Sequence, residues 1–400
     1  MAATASYQAG IEANNVEFSF GIEVTWGVVP AIAFTAIRLT GETMNKQRTR
    51  QRPLEINTTR EAAASVTTQE VASGAINFAF SYGTYDEFFA VCLGNEWSAL
   101  LTIVGVAGDI VFTNSSATVG ILTSGTASKF STVTEKSYIR LLGFTNTANN
   151  GWWYVTTKTS ATSLTLTSNR LSVTETPAGT AAKVRGSTLV NSTEFRSFWL
   201  QNKLSTVLYL NYPGSYISGF TLQIQLGQFA SGSFNIMSKT ESSATSNSST
   251  GAVTAAPGGR VINPVSGYMY TMLAQVAVGA TIDQISMTVA NTGAAGEFGL
   301  GSSSAAGMLA GYLEASGSFR AYFPDFTLYA IFTAETAQNL TFLMQDANTD
   351  GYAFQFMSAV LSDAKIDAGG PGQPVYATYQ FQADPLSTGT TIRIDKLPSS

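Results

Sequence analysis

The 400-residue chain carries 21 Lys and Arg against 26 Asp and Glu, for a net charge of −5, and contains no histidine. That balance has the wrong sign for a chain that grips nucleic-acid phosphates over its whole surface. Without imidazole, Ser-His and Cys-His nucleophilic pairs, His-ligated metals and imidazole bases are excluded. An apolar content of 44% is that of a globular chain, and its wealth of Gly, Ser, Thr and Ala predicts strands and turns rather than long helices. Four hundred residues exceed what one core organises, so two large units, with or without a smaller insertion, are expected. The single cysteine, Cys92, excludes an intrachain disulfide, and MAATASYQAGIEANN lacks the basic and apolar segments of a leader, so folding in a cytoplasm is the expectation. No apolar run reaches the roughly 18 residues of a membrane helix.

In chain order, residues 16–25 (VEFSFGIEVT) alternate: Val16, Phe18, Phe20, Ile22 and Val24 on one face, polar or small residues on the other. This predicts a strand with one wet face. Residues 41–61, GETMNKQRTRQRPLEINTTRE, follow as a long polar loop holding Lys46, Arg48, Arg50, Arg52 and Arg60. ASGAINFAF (72–80) then leads into a helix of about ten residues. Thr84 and Glu87 suit a capping box, Phe88, Phe89, Val91 and Cys92 an apolar stripe, and Gly94 a stop. Cys92 on that stripe reads as a buried small hydrophobe rather than a reactive thiol.

Residues 101–187 are short Thr-rich strands (SYIRLLGF, GWWYVTT, SLTLTS) with a hairpin signal at Asn149-Asn150-Gly151, read as an inserted small β-domain. Trp152 and Trp153 offer a sugar-stacking platform or, the favoured reading, the core of that module. Residues 238–260 are Ser, Thr, Ala and Gly with little to bury, and read as a linker or mobile loop. Alternating strands recur at 221–226, 285–289, 352–356, 376–381 and 391–395. DANTDG (346–351) matches the first half of a calcium loop, but its twelfth position is Met357, so a hairpin turn is favoured and no metal site is expected. Neither a phosphate-cradling Gly loop nor a dinucleotide fingerprint is present, and no cofactor is expected. Adjacent Asp86 and Glu87 are better placed to cap a helix than to serve as a hydrolytic pair.

The two halves carry a weak internal repeat. ASGAINFAF leads into the TYDEFFAVCL helix, and ASGSFRAYF (315–323) leads into PDFTLYAIF, where Pro324 and Asp325 suit a helix start. A strand precedes each ASG (34–41 and 282–289), so the intervening loops correspond, one charged, the other (292–308) carrying only Glu297.

The opener VEFSFGIEVTWGVVP, the polar loop followed by QEVASGAINFAFSYGTYDEFF, the segment YPGSYISGFTLQIQLGQFASGSFNIMSK and DANTDGYAFQF together resemble the tail tube proteins of tailed bacteriophages, especially those with long non-contractile tails. The resemblance covers most of the chain outside 101–187 and implies an all-β fold of two tandem β-sandwich or barrel domains, each with a short flanking helix. The divisions are residues 1–100 and 188–245 (first tube domain), 101–187 (inserted module on the outer wall), 246–260 (linker) and 261–400 (second tube domain). It implies a non-enzymatic virion protein that assembles with itself into stacked rings. With two domains per chain, three chains rather than six would make a ring. The tape measure, tail terminator and distal tail proteins would be its other partners, and DNA would pass through without tight binding. A polar, non-basic wall suits such passage, because each Lys or Arg contact to phosphate is a sticking point. The basic stretch (Lys46, Arg48, Arg50, Arg52, Glu55, Arg60) would then reach the adjacent ring, giving register more than affinity. A carbohydrate-binding adhesin or tail-fibre component, using the aromatic block, is the alternative.

Overall fold

The computed structural model describes residues 10–400 except 57, 59, 60, 107, 171 and 178–180. Before the module run β1 (Glu17–Ile22), β2 (Thr35–Ala36), β3 (Gly41–Glu42), β4 (Asn45–Gln51), β5 (Val66–Ala79) and helix α1 (Asp86–Leu93). The module holds β6 (Leu101–Val104), β7 (Ile110–Ser116), β8 (Val119–Ser124), β9 (Tyr138–Leu142), β10 (Gly151–Ser160), β11 (Ser163–Thr167) and the start of β12 (Lys183–Val190). β13 (Phe198–Ser205), β14 (Leu208–Gln225), β15 (Ser231–Ser238) and β16 (Ser242–Ala244) close the first half. The second half holds β17 (Tyr268–Leu273), β18 (Val276–Ala277), β19 (Ile282–Thr292), β20 (Ala295–Glu297), β21 (Gly307–Leu309), β22 (Tyr312–Tyr322), helix α2 (Thr327–Thr333), β23 (Gln338–Gln345), β24 (Gly351–Ala368), β25 (Val375–Ala383) and β26 (Ile392–Leu397). The fold is all-β, and every pairing between these strands is antiparallel, with one isolated parallel bridge between Thr35 and Thr254.

One long sheet runs β4, β5, β15, β14, β19, β22, β25, β24, with β3 continuing the edge of β4. A shorter sheet backs each half: β1, β13, β14, β16 in the first and β17, β23, β24, β26 in the second. β14 and β24 belong to both layers because each is 18 residues long and irregular in mid-strand, at 217–219 and 361–363. Such a bulge bends a strand enough to change sheets. The same partners recur in the same order in the two halves. Lys46 pairs with Ala72 and Val289 with Ala315, a displacement of 243 positions for both members.

The ASG tripeptides sit at a matching close approach. A Cβ on Gly74 would lie 2.5 Å from Thr43 O, and one on Gly317 would lie 2.3 Å from Ser286 O, so only glycine fits either place. Between the layers lies a shared core. Phe20, Phe88, Phe89, Phe220 and Phe234 pack edge-to-face or tilted, with Phe78 stacked on Phe234, reaching Tyr352 and Phe354 of the second half. Burying each such ring stabilises by roughly 1.5–3 kcal/mol.

Three local expectations need correction. The polar face of β1 is not wet: Ser19 is buried, and Gly21 lies so close to Phe34 and Pro30 that a Cβ would meet them, because residues 30–36 pass over it. The strand also stops at Ile22, leaving Val24 fully exposed. The capping box does not form: α1 begins at Asp86, no side chain caps it, and Thr84 Oγ1 is engaged with Ser81 and Pro257. Gly94 does end the helix, left-handed at φ 61°. Finally, the connecting segment is pinned to the first half. Ser249 Oγ accepts from Phe34 N at 3.0 Å, and Thr254 exchanges backbone hydrogen bonds with Phe34 and Ala36.

Candidate assembly surfaces

The long sheet has one apolar and one polar face, as the period of two demands. On β14, Phe220, Leu222 and Ile224 are buried while Thr221, Gln223 and Gln225 face away, which is the TLQIQL alternation read from the sequence. The polar face continues as Ser231, Ser233 and Asn235 on β15, Ser286 and Thr288 on β19, and Thr378, Gln380 and Gln382 on β25. Its charges are few. Arg320 is matched by Asp283 at 2.6 Å, and Glu314, Asp363, Lys365 and Asp367 occupy the same alternating positions. VEFSFGIEVT, the other strongly alternating stretch of the sequence, lies in the backing sheet against β13 and not in this sheet.

The basic stretch is a strand before it is a loop. Lys46, Arg48 and Arg50 lie on β4, paired with β5 as far as Gln51 opposite Val66. Lys46 Nζ lies 2.6 Å and Arg48 Nε 3.0 Å from the two oxygens of Glu70, whose carboxyl they hold below the usual range, Lys46 foremost. Arg50 donates to Ser65 Oγ and O. Sequence reasoning missed Glu70. The signal was there in the charge facing these cations across a hairpin. Beyond β4, Arg52, Leu54, Glu55 and Ile56 are exposed, Leu54 and Ile56 completely. Arg60 lies outside the described residues.

The module closes its own core around Phe112, Trp153, Leu164 and Leu166. Trp153 is fully buried and donates Nε1–H to Asn149 O at 2.9 Å. Trp152 is buried against Tyr138, Met272 and Leu397. That second contact docks the module on the other half of the chain. There β12 leaves the module sheet and pairs with β26, Ser187 to Val190 against Arg393 to Lys396. At this joint Asp395 is fully buried; its Oδ2 accepts from Tyr138 N at 2.8 Å and from Gln355 Nε2, and burial pushes its carboxyl up to about 6.

DANTDG joins β23 to β24 as a hairpin turn. Asp346 Oδ1 accepts from Asn348 N and Asp350 N, Thr349 takes φ 68°, and Arg140 of the module donates to Thr349 Oγ1 at 2.7 Å. Oδ1 of the aspartate is thus engaged by its own turn, while Oδ2 is buried with no hydrogen-bond partner among the described residues. Among the described residues no cluster of three or more acidic or thiol side chains is placed to hold a metal. Cys92 is buried on α1, its thiol pushed up by burial.

The long sheet ends in two unpaired edges. One is the outer side of β3 and β4; the other is the side of β24 away from β25 over residues 361–368, with no strand partner among the described residues. Sequence reasoning missed this second edge, although SDAKIDA alternates charged residues with small or apolar ones as an exposed strand does. An exposed edge invites pairing with another chain. A family model described as phage tail tube protein matches residues 13–383, nearly the whole chain. The chain belongs to the phage tail tube protein family. No curated protein matches it in sequence. As a tail tube family member it is a structural component of the virion tail that assembles with other tail components. No helix among the described residues is long and apolar enough to cross a membrane.

Proposed function

We propose that the chain assembles with itself into stacked rings forming the hollow tube of a long, non-contractile phage tail, through which DNA passes without tight binding. The observation that carries this reading is the long sheet: polar on one face, packed on the other, open at both ends. Its Ser, Thr, Asn and Gln face is the lumen wall, wet enough to hydrate a polyanion and too poor in cations to hold it. The non-contractile type rests on the resemblance in residues 16–30, 69–89, 212–239 and 346–356 and is read directly from virion micrographs.

The two halves are tandem tube domains, supported by the matched pairing order, the constant displacement of 243 and the shared glycine approach. Three chains then supply six near-equivalent sectors to a ring, and residues 101–187 lie on the outer wall, since they pack behind the backing sheet of the second half. Lys46, Arg48, Arg50, Arg52, Glu55 and Arg60 engage the adjacent ring. The fully exposed Leu54 and Ile56 support this, since apolar tips on a charged hairpin suit a protein contact. Tape measure, terminator and distal tail proteins bind the tube's interior and ends.

Negative-stain microscopy of the overexpressed protein tests the reading. Hollow tubes or rings are expected, and discrete monomers under all assembly conditions would overturn it.

A further inference from the structure

We propose that a second copy of this chain completes the long sheet by laying its β3–β4 edge against the unpaired edge of β24, in the register that β14 and β19 already use within one chain. The inference rests on the tube reading and goes further by naming the residues opposite one another. The internal seam is observed: Phe220 opposite Val289, Thr221 opposite Thr288, Leu222 opposite Met287, Gln223 opposite Ser286 and Ile224 opposite Ile285. β24 repeats β14 in length, in the place of its bulge and in its partners on both layers. β3 and β4 repeat β19: Gly41 opposite Asn77 matches Gln284 opposite Arg320, and Asn45 opposite Ser73 matches Thr288 opposite Ser316.

Carrying the internal seam onto these equivalents puts Ala364 opposite Lys46, Lys365 opposite Asn45, Ile366 opposite Met44 and Asp367 opposite Thr43 of the second copy. The chemistry agrees. Ile366 is 39% exposed in the single chain, and it meets a methionine where the internal seam buries Leu222 against Met287. Lys365 and Asp367 fall on the polar face, where the internal seam has Thr221 and Gln223. The pairing begins at 364, because Gly219, the counterpart of Asp363, sits where a Cβ would meet Val289 O at 2.6 Å.

Within one chain the two edges are separated by the whole width of the sheet, seven strand spacings or roughly 30 Å, so any covalent bond between them joins different copies. Directly opposed residues come within disulfide reach. The experiment places Lys365→Cys and Asn45→Cys in one chain, both at exposed positions, and oxidises assembled tubes. A ladder of covalent multimers ending at the ring's closed number, three on the reading above, is expected. Lys365→Cys with Thr49→Cys, four residues out of register on the same face, should stay monomeric. A mixture of the two single variants should stop at dimers. Tubes that form but cross-link through Thr49→Cys, or through neither pair, would overturn the seam while leaving the tube standing. Wild-type protein that never forms rings or tubes would overturn the tube reading and the seam with it.

Discussion

At Asp395 a single carboxyl records how the module is held. Its elevated value means that the folded chain binds a proton more tightly than the unfolded chain does. Stability therefore falls as pH rises from about 4, where the unfolded carboxyl ionises, to about 6, and the loss persists above that. Asp395→Asn keeps an acceptor for Tyr138 N and Gln355 while removing the charge. Denaturant melts of variant and wild type should agree near pH 4, and the variant should gain on the wild type by up to roughly 3 kcal/mol towards pH 7. A difference independent of pH would show that Asp395 is ionised at no cost. The position was not legible in the sequence. IRIDK alternates like any half-wet strand, and the elements that cover the aspartate, β12 alongside and Tyr138 of β9 above, arrive from two hundred or more residues away.

Among the elements, the ASG strands were legible because three signals agree: alternating apolar residues, a glycine at the same offset, and a helix after each. Gly317→Ala should cost roughly 1–3 kcal/mol, read as a fall in melting temperature, because the methyl must displace the Ser286 carbonyl. Gly279→Ala, with open space around its Cβ position, is the control and should be close to neutral. The two helices, equally legible, have unequal fates. α1 buries every residue from Phe88 to Leu93 between the halves, where Tyr352 and Lys396 meet Asp86, whereas α2 buries only Leu328. No local signal separates them, since the difference comes from what packs over each. The basic hairpin was misread as a loop because RTRQR has no apolar alternation: β4 is ordered by its ladder with β5 and by Glu70, not by a core. Replacing Lys46, Arg48, Arg50 and Arg52 with Ser should lower the melting temperature modestly, since Lys46 and Glu70 are half-buried and lose their pairing while the exposed arginines contribute about 0–1 kcal/mol each. It should also shorten or abolish tubes in micrographs, and undiminished assembly would count against the hairpin's part in stacking.

For the molecule as a whole, the sequence's low net charge becomes a spatial statement: the polar face carries few cations and hydroxyls or amides nearly everywhere else. Assembled tubes should retain no duplex DNA at roughly 150 mM salt. Placing Lys at Thr221, Ser231 and Ser233 should make them retain it in a filter or sedimentation assay, with binding that weakens as salt rises. Retention by the wild type, or none by the Lys variant, would argue that this face does not line the channel.

The strand β12 has one more consequence. The halves of the chain are joined twice, through β14 and β19 in one layer and through β12 and β26 in the other, and two parallel joints on opposite sides of a body leave it no hinge. A tail built from such subunits would flex at the contacts between molecules and not inside them. Its curvature would then be taken up in discrete steps along the tube's length, with each subunit moving as a stiff plate.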